Sequence, residues 1–320
     1  MTLSTTHRGY PRIGIIVVGY NNKPCLRRCF DSVRTLTYPN LKAVYIDNGS
    51  TDGSLGMVRE DYPEWKVIDS EWNSGYCGGN NQGIQWAMQK DCEFTLILNP
   101  DTEVCNPAFL ETMIDFMENN PTVGRLGPKV YLREVGQVQN TILTFPSISS
   151  RIRSWLSSIP AISSCVDCAD AIDCDSLNGC CVLVRLDAIR EAGLLDERVW
   201  AYVDEVDWDF RFMKKGWRRV FLPVESIVHH QRSDVYDLTS LSVFLQARNG
   251  AYFYRVRGMW FSFFVWITAK VFLLGGRALA ARLSGREGAI QSWVTIAKAF
   301  FALIFKRIDS SWFGVGGTRP

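Results

Sequence analysis

Phe94–Glu103 reads FTLILNPDTE, an apolar run that stops at a polar cluster broken by a proline. Thr95 to Leu98 are β-branched or aliphatic with no polar alternation, the pattern of a strand buried on both faces of a parallel sheet. Pro100 has no N–H to donate and biases Asn99 toward an extended conformation, so strand pairing ends there. Asn99, Asp101 and Glu103 are thereby presented at the carboxyl end of a central strand, the edge where open α/β sheets bind their ligands.

Upstream, Ile13 to Val18 (IGIIVV) is a short apolar run that stops at Gly19-Tyr20-Asn21-Asn22, and Cys25, Leu26, Cys29, Phe30, Val33 and Leu36 follow at helical spacing. Leu41 to Ile46 makes a second strand, ending in the turn-forming cluster Asp47 to Ser54, which also supplies N-cap residues for a helix through Tyr62. Val67-Ile68 is a short third strand before a Gly/Asn loop, Asn73 to Gly83, that runs into a helix carrying Ile84, Trp86, Ala87 and Met88. After the central strand comes a helix from about Ala108 to Asn119. Strands alternating with helices at this spacing predict an α/β fold, a mostly parallel sheet with helices on both faces.

Downstream, Gln137 to Ser176 has poor periodicity and frequent serine, which predicts a long excursion over the surface. Asn178 to Arg185 reads as a strand, Leu186 to Ala192 as a short helix, and Glu205 to Lys215 as a helix with an acidic first turn. Val220 to Leu222 and Ile227-Val228 read as two short strands, the second ending in His229-His230.

The 320 residues are 47% hydrophobic, enough for a sizeable core, and a net charge of +2 gives no case for nucleic acid. Carboxylates lie mostly before Asp237, and the basic tail suits an anionic surface. MTLSTTHRGYPRIG lacks the apolar core of a signal peptide, which predicts a cytoplasmic protein whose ten cysteines are mostly free thiols. Cys165 and Cys168 form one CxxC with no second at matching spacing, so scattered thiols are expected in place of structural zinc.

Asp47 sits at a strand end, where a carboxylate can accept hydrogen bonds from a base or ribose; an Asx-turn or cap is the alternative, and suits Asp52 at least as well. Several residues of Gly75 to Gly83 tolerate positive φ and could bring backbone N–H groups to a ligand, but GxGxxG and GxxxxGK[ST] spacings are absent. Asn99-Pro100-Asp101 offers hard oxygen donors suited to Mg²⁺ or Mn²⁺, or else a capped turn. Asp204-Glu205-Val206-Asp207 crowds three carboxylates, costly unless cations or a functional demand offset the repulsion; a helix N-terminus favoured by its dipole is the alternative. His229-His230 could supply an imidazole ligand or a diphosphate contact.

Taken together, Val17–Asn21 (VVGYN), Asp47–Ser54 (DNGSTDGS), Asn73–Gly83 (NSGYCGGNNQG), Leu96–Val104 (LILNPDTEV), Leu177–Arg185 (LNGCCVLVR), Gly193–Glu197 (GLLDE), Tyr202–Arg211 (YVDEVDWDFR) and the His229 segment resemble glycosyltransferase family 2. Within that family the resemblance is to the bacterial rhamnosyltransferase-like branch, over roughly residues 13–249. It implies a GT-A fold, a nucleotide-sugar donor, a divalent cation and inversion at the anomeric carbon. Carried over, Asp47 holds the nucleobase, and Tyr20, Asn21, Asn48, Ser50, Asn73, Gly75, Gly79, Asn80 and Asn99 lie on the donor side. Asp101 and His229 meet the cation, His229 in preference to His230. Glu205 is the base, with Asp204 its rival and Asp207 orienting the site through Arg211. Asn178, Gly179, Arg248 and Asn249 lie on the acceptor side. Two departures stand out: Asn99 occupies the first position of the DxD-like triplet, and the usual Glu-Asp pair is reversed to Asp204-Glu205.

The resemblance divides the chain into a catalytic domain, 1–249, with donor and acceptor halves of about 10–130 and 131–249, and a C-terminal part, 250–320. In the latter, Met259–Leu274 and Ile290–Phe305 are apolar but contain Lys270 and Lys298, and both fall short of the ~20 residues of a spanning helix. With Arg277, Arg282 and Arg286 nearby they read as interfacial helices, or as helices packed on the catalytic domain or in an oligomer interface. The expected partners are a nucleotide sugar, a glycan or lipid-linked acceptor and the inner face of the plasma membrane. A noncatalytic nucleotide-sugar binding protein and a sugar nucleotidyltransferase are the competing readings.

Overall fold

A computed structural model describes residues 9–134, 136–145, 170–230 and 240–268, with backbone alone over 240–244. The first half alternates as the spacing predicts: β1 (Ile13–Gly19), α1 (Lys23–Val33), β2 (Leu41–Asp47), α2 (Ser54–Asp61), β3 (Lys66–Asp69), α3 (Gly75–Gln89) and β4 (Phe94–Leu98). Then follow β5 (Thr102–Val104), α4 (Phe109–Asn119), β6 (Val123–Leu132), β7 (Ile142–Leu143), β8 (Ile172–Asp173), β9 (Ser176–Leu177), β10 (Cys181–Arg185), α5 (Leu186–Ala192), α6 (Asp204–Lys214), β11 (Arg218–His229) and α7 (Ser240–Val256).

The main sheet has nine strands in the order β3-β2-β1-β4-β10-β6-β11-β5, with β8 also on β11. Its first four strands are parallel. β10 then runs antiparallel to both β4 and β6, and β11 is parallel to β6, so the second half is mixed. Side chains alternate across this sheet: Ile15, Val17, Leu96, Leu98 and Leu183 enter one core, and Ile16, Ile97, Val182 and Val184 the other. Two buried faces explain why these strands show no polar alternation. In the first core Phe30 stacks on Trp65 with ring centres 4.1 Å apart.

Several expectations change. The Gly/Asn stretch after β3 is no loop: α3 begins at Gly75. A side chain at Gly79 would put its Cβ 2.5 Å from Val18, so glycine there lets the helix lie close on the sheet. The run Asn178 to Arg185 is split, because Asn178 Oδ1 accepts the Cys180 N–H at 3.0 Å in an Asx-turn and β10 starts only at Cys181. The two short strands before His229 are one twelve-residue strand, β11, whose register shifts around Pro223. The ends of the Gln137–Ser176 stretch are tied down, with β7 on β9 and β8 on β11, while residues 146–169, including Cys165 and Cys168, lie outside the described residues.

The boundary drawn at 249 falls inside α7, whose Ala251, Phe253 and Tyr254 are buried. Residues 260–268 are helical, and Phe263, Trp266 and Ile267 pack back onto the second core while Trp260, Phe261 and Phe264 stay 54%, 74% and 62% exposed. No helix of the described residues is long and apolar enough to cross a membrane. The rest of Met259–Leu274 and all of Ile290–Phe305 lie outside them.

Candidate active site

The carboxyl ends of β1, β2 and β4 carry the donor-side residues. Asp47, buried at the end of β2, accepts the Tyr45 hydroxyl at 2.9 Å and the Ser50 N–H at 2.8 Å. Asn21, at φ 53°, accepts the Thr51 N–H at 2.8 Å and donates its own N–H to Ser50 Oγ at 3.0 Å, which joins the loops after β1 and β2 near Tyr20. Asp52 accepts the N–H groups of Lys23 and Ser54, both at 2.9 Å, and so serves the starts of α1 and α2, the capping role that competed with ligand binding.

Asn48, Asn73 and Asn80 are turned to internal work. Asn48 donates to Gly75 O and accepts Ser74 Oγ, both at 2.9 Å; Asn73 accepts the Gly75 N–H at 2.9 Å; Asn80 donates to Tyr76 O at 2.9 Å. Cys77 N–H goes to Trp200 O, so with Gly75 two N–H groups of the first helical turn are already taken. Gly75 has φ +75° and an added Cβ would lie 2.5 Å from the Trp200 ring. Gly75 and Gly79 therefore serve backbone conformation and close packing, and the stretch expected to be a loop offering N–H groups to a ligand is the start of a helix.

Beyond β4, Asp101 Oδ1 lies 3.2 Å from His229 Nε2. Nδ1 of that ring is 2.9 Å from Gln139 Oε1. With its hydrogen on Nδ1 a neutral ring offers Nε2 as a ligand beside the carboxylate, and a carboxylate oxygen with an imidazole nitrogen fits a divalent cation. Among the described residues no three His, Cys, Asp or Glu side chains converge as a ready-made cage, so water and ligand oxygens would complete the coordination. His230 turns to Glu103 at 2.7 Å, which separates the two histidines. Near this end the Cys29 and Cys180 thiols are each pushed up to about 12 by burial and are inert; the eight described cysteines are joined by no disulfide.

The acid cluster opens α6. Asp204 is 3% exposed and its Oδ2 has no hydrogen-bond partner. Burial first, and then the charge of Glu205, push its carboxyl well above the usual range. Glu205 is half-buried and accepts the Gly179 N–H at 3.3 Å; burial raises its carboxyl too, opposed by backbone N–H groups and the charge of Arg125. Asp207 faces elsewhere, clamped by Arg211 at 3.0 Å and by Arg257 from beyond α7.

The turn at 178–180 joins both chemistries. Gly179 N–H meets Glu205, Gly179 O accepts Tyr76 Oη at 2.9 Å, and Cys180 O accepts the Asn99 N–H at 2.9 Å. Base and DxD-like triplet are thus held by neighbouring peptides of one turn. Arg248 and Asn249 offer no surface to an acceptor: they are 3% and 1% exposed. Asn249 donates to the carbonyls of Val199, Ala201 and Tyr202 at 2.9, 2.7 and 2.9 Å, and so holds the loop that enters α6. Burial lowers the Arg248 guanidinium to about 10.

Sequence reasoning missed Gln139, Arg125, Asn81 and Asp209. Asn81 exchanges hydrogen bonds with the Leu195 backbone at 2.9 and 3.0 Å, and Asp209 pairs with Arg125 in the interior. Asp209 stands four residues after Glu205, a helical spacing that could have drawn attention to it; Gln139 lies in an aperiodic stretch with no such signal.

The profile of Glycosyl transferase family 2 matches residues 14–166. The chain is 26% identical over 238 residues to an N-acetylglucosaminyl-diphospho-decaprenol L-rhamnosyltransferase of Mycobacterium tuberculosis, covering 68% of this chain and 75% of that one. It is 23% identical to the low-salt glycan biosynthesis hexosyltransferase Agl10 of Haloferax volcanii, covering 74% and 73%. Its fold is similar to the mannosyltransferase PcManGT of Pyrobaculum calidifontis, solved with GDP-Man and Mn²⁺, at TM-score 0.57 and 15% identity over 93% of this chain and 88% of that one. It also resembles GalNAc-T7, solved with UDP, GalNAc and Mn²⁺, at TM-score 0.60 and 16% identity over 78% and 48%. The match of residues 14–166 to glycosyl transferase family 2 and the likeness to these GT-A structures agree with the sheet order and the acid-bearing helix of this chain.

Proposed function

We propose that this glycosyltransferase moves a sugar, with rhamnose the leading assignment, from a nucleoside-diphosphate donor to a hydroxyl of a glycan or lipid-linked acceptor in cell-surface polysaccharide synthesis. The observation that carries the reading is the single turn, 178–180, that holds Glu205 on one side and Asn99 of the DxD-like triplet on the other. Asp47 and the loops after β1 and β2 receive the nucleoside. A divalent cation, Mg²⁺ or Mn²⁺, at Asp101 and His229 would supply charge stabilisation to the departing diphosphate.

The acid pair divides its labour by environment. Asp204, more buried and without a partner on Oδ2, keeps the proton the two carboxyls share; Glu205, oriented by the Gly179 N–H, stays a carboxylate. Glu205 then removes the proton of the acceptor hydroxyl as its oxygen attacks the anomeric carbon, and the single displacement inverts that centre. The catalytic unit runs through α7, and the exposed aromatics at 260–264 support a place on the inner face of the plasma membrane, beside a lipid-linked acceptor.

The test compares Glu205→Gln with Asp204→Asn. The first should bind donor normally and lose about 10²- to 10⁴-fold in transfer rate, the second being the milder lesion. Near wild-type turnover in Glu205→Gln with a dead Asp204→Asn reverses the assignment. Absence of transfer in the wild-type protein itself, with donor still bound, favours the noncatalytic reading.

A further inference from the structure

Beneath the acid pair lies a second pair of charges. Arg125 on β6 and Asp209 on α6 form an ion pair with side chains 1% and 0% exposed, and the guanidinium sits 5.1 Å from the Trp208 ring centre. Burying such a pair is costly, and its further hydrogen bonds say what it is tied to. Asp209 Oδ2 accepts the Ser176 hydroxyl at 2.8 Å and the Leu177 N–H at 3.0 Å. Asp209 is one helical turn past Glu205 and shares its side of the helix. The same carboxylate therefore fixes β9 against α6, and β9 runs directly into the turn whose Gly179 N–H meets Glu205.

We propose that Arg125 and Asp209 are positioning residues for Glu205, holding β9 so that the Gly179 N–H reaches its carboxylate and setting the field at the acid pair. The catalytic consequence rests on Glu205 being the base; the structural claim does not. Arg125 opposes the burial of both carboxyls, whereas Asp209 adds to the raising of Glu205. Tyr76 and Cys77 of α3 and Cys180 of the turn face the same pair, and burial keeps all three neutral. Asp101 also acts on Cys180, and Asp196 and Asp207 on Cys77, while on the acid pair itself the leading charges besides the two carboxyls are Arg125 and Asp209.

Two measurements on the full chain without ligand test this. The first follows the infrared C=O band of the protonated carboxyl against pH, assigned with Glu205→Gln and Asp204→Asn. Arg125→Met should move its midpoint up by about one pH unit, and Asp209→Asn, which keeps an oxygen for Ser176 and Leu177, should move it down by a similar amount. Midpoints that stay put, or move the same way, overturn the proposal. The second uses Arg125→Met/Asp209→Leu, a neutral pair that keeps the fold testable should a single variant fail to fold. Hydrogen exchange at the Gly179 amide should speed up at least tenfold there, and wild-type protection overturns the positioning role. If Glu205→Gln instead keeps full transfer activity, the base assignment falls while both measurements still decide this one.

Discussion

Asp204 holds a carboxyl where the surroundings favour the neutral form, since burial and the neighbouring Glu205 both raise it. Between the ordinary carboxylate value of about 4 and that raised value the folded chain binds more protons than the unfolded one. Stability is therefore fully present below that window and falls as pH rises through it. Asp204→Asn should remove the slope: calorimetry should find the variant melting several degrees above wild type at neutral pH and level with it near pH ~4. At the other end of the turn, Asp101→Ala should abolish, and His229→Ala weaken, the Mn²⁺-dependent part of nucleoside diphosphate binding measured by titration calorimetry; equal affinity with and without the ion would refute the cation site. Asp47, Asp101 and the acids opening α6 were legible as residues because each ends a strand or opens a helix. Their division into roles was not, because it depends on Gly179 and Arg125, which come from distant parts of the chain.

The loop entering α6 is held from outside itself. Trp200, Tyr202 and Val203 have φ of 65°, 65° and 67°, a region that costs energy for residues with a Cβ, and Asn249 alone occupies three carbonyls of that stretch. With the two N–H groups of its amide shared among these carbonyls at about 1 kcal/mol each, Asn249→Ala should cost roughly 2 kcal/mol in urea unfolding and lower kcat by freeing the start of α6. An unchanged midpoint would show that the loop holds its shape unaided. Elements with strong apolar periodicity, such as β1, β4 and α4, were readable from spacing. The helix carrying Ile84, Trp86 and Ala87 was legible but not its start, because Gly and Asn have poor helix propensity and the first turns are held by packing on Val18 and Trp200. β11 was divided in two because Pro223 and the shifted register interrupt a strand that the neighbouring β6 nonetheless pairs along its length.

At the scale of the whole molecule, the helix at 260–268 presents Trp260, Phe261 and Phe264 outward, with Arg255 exposed close by. Replacing the three aromatics by serine should reduce cosedimentation with anionic phosphatidylglycerol vesicles at low salt about tenfold and leave donor binding unchanged. Retention of full vesicle binding would assign that contact to other parts of the chain. Arg257 gives this geometry a further meaning. It lies just before that helix, yet its guanidinium is one of two cations on Asp207, a side chain of the helix that carries Glu205. Shortening the protein at 249 to discard an apolar tail would strip a buried carboxylate of half its countercharge, along with the packing of Phe253 and Tyr254. Exchanging tails between relatives would have to carry α7 and position 257 as one graft, so acceptor-side attachment and the acid-bearing helix should be inherited together, and a hybrid joined between them should fail in turnover before it fails in donor binding.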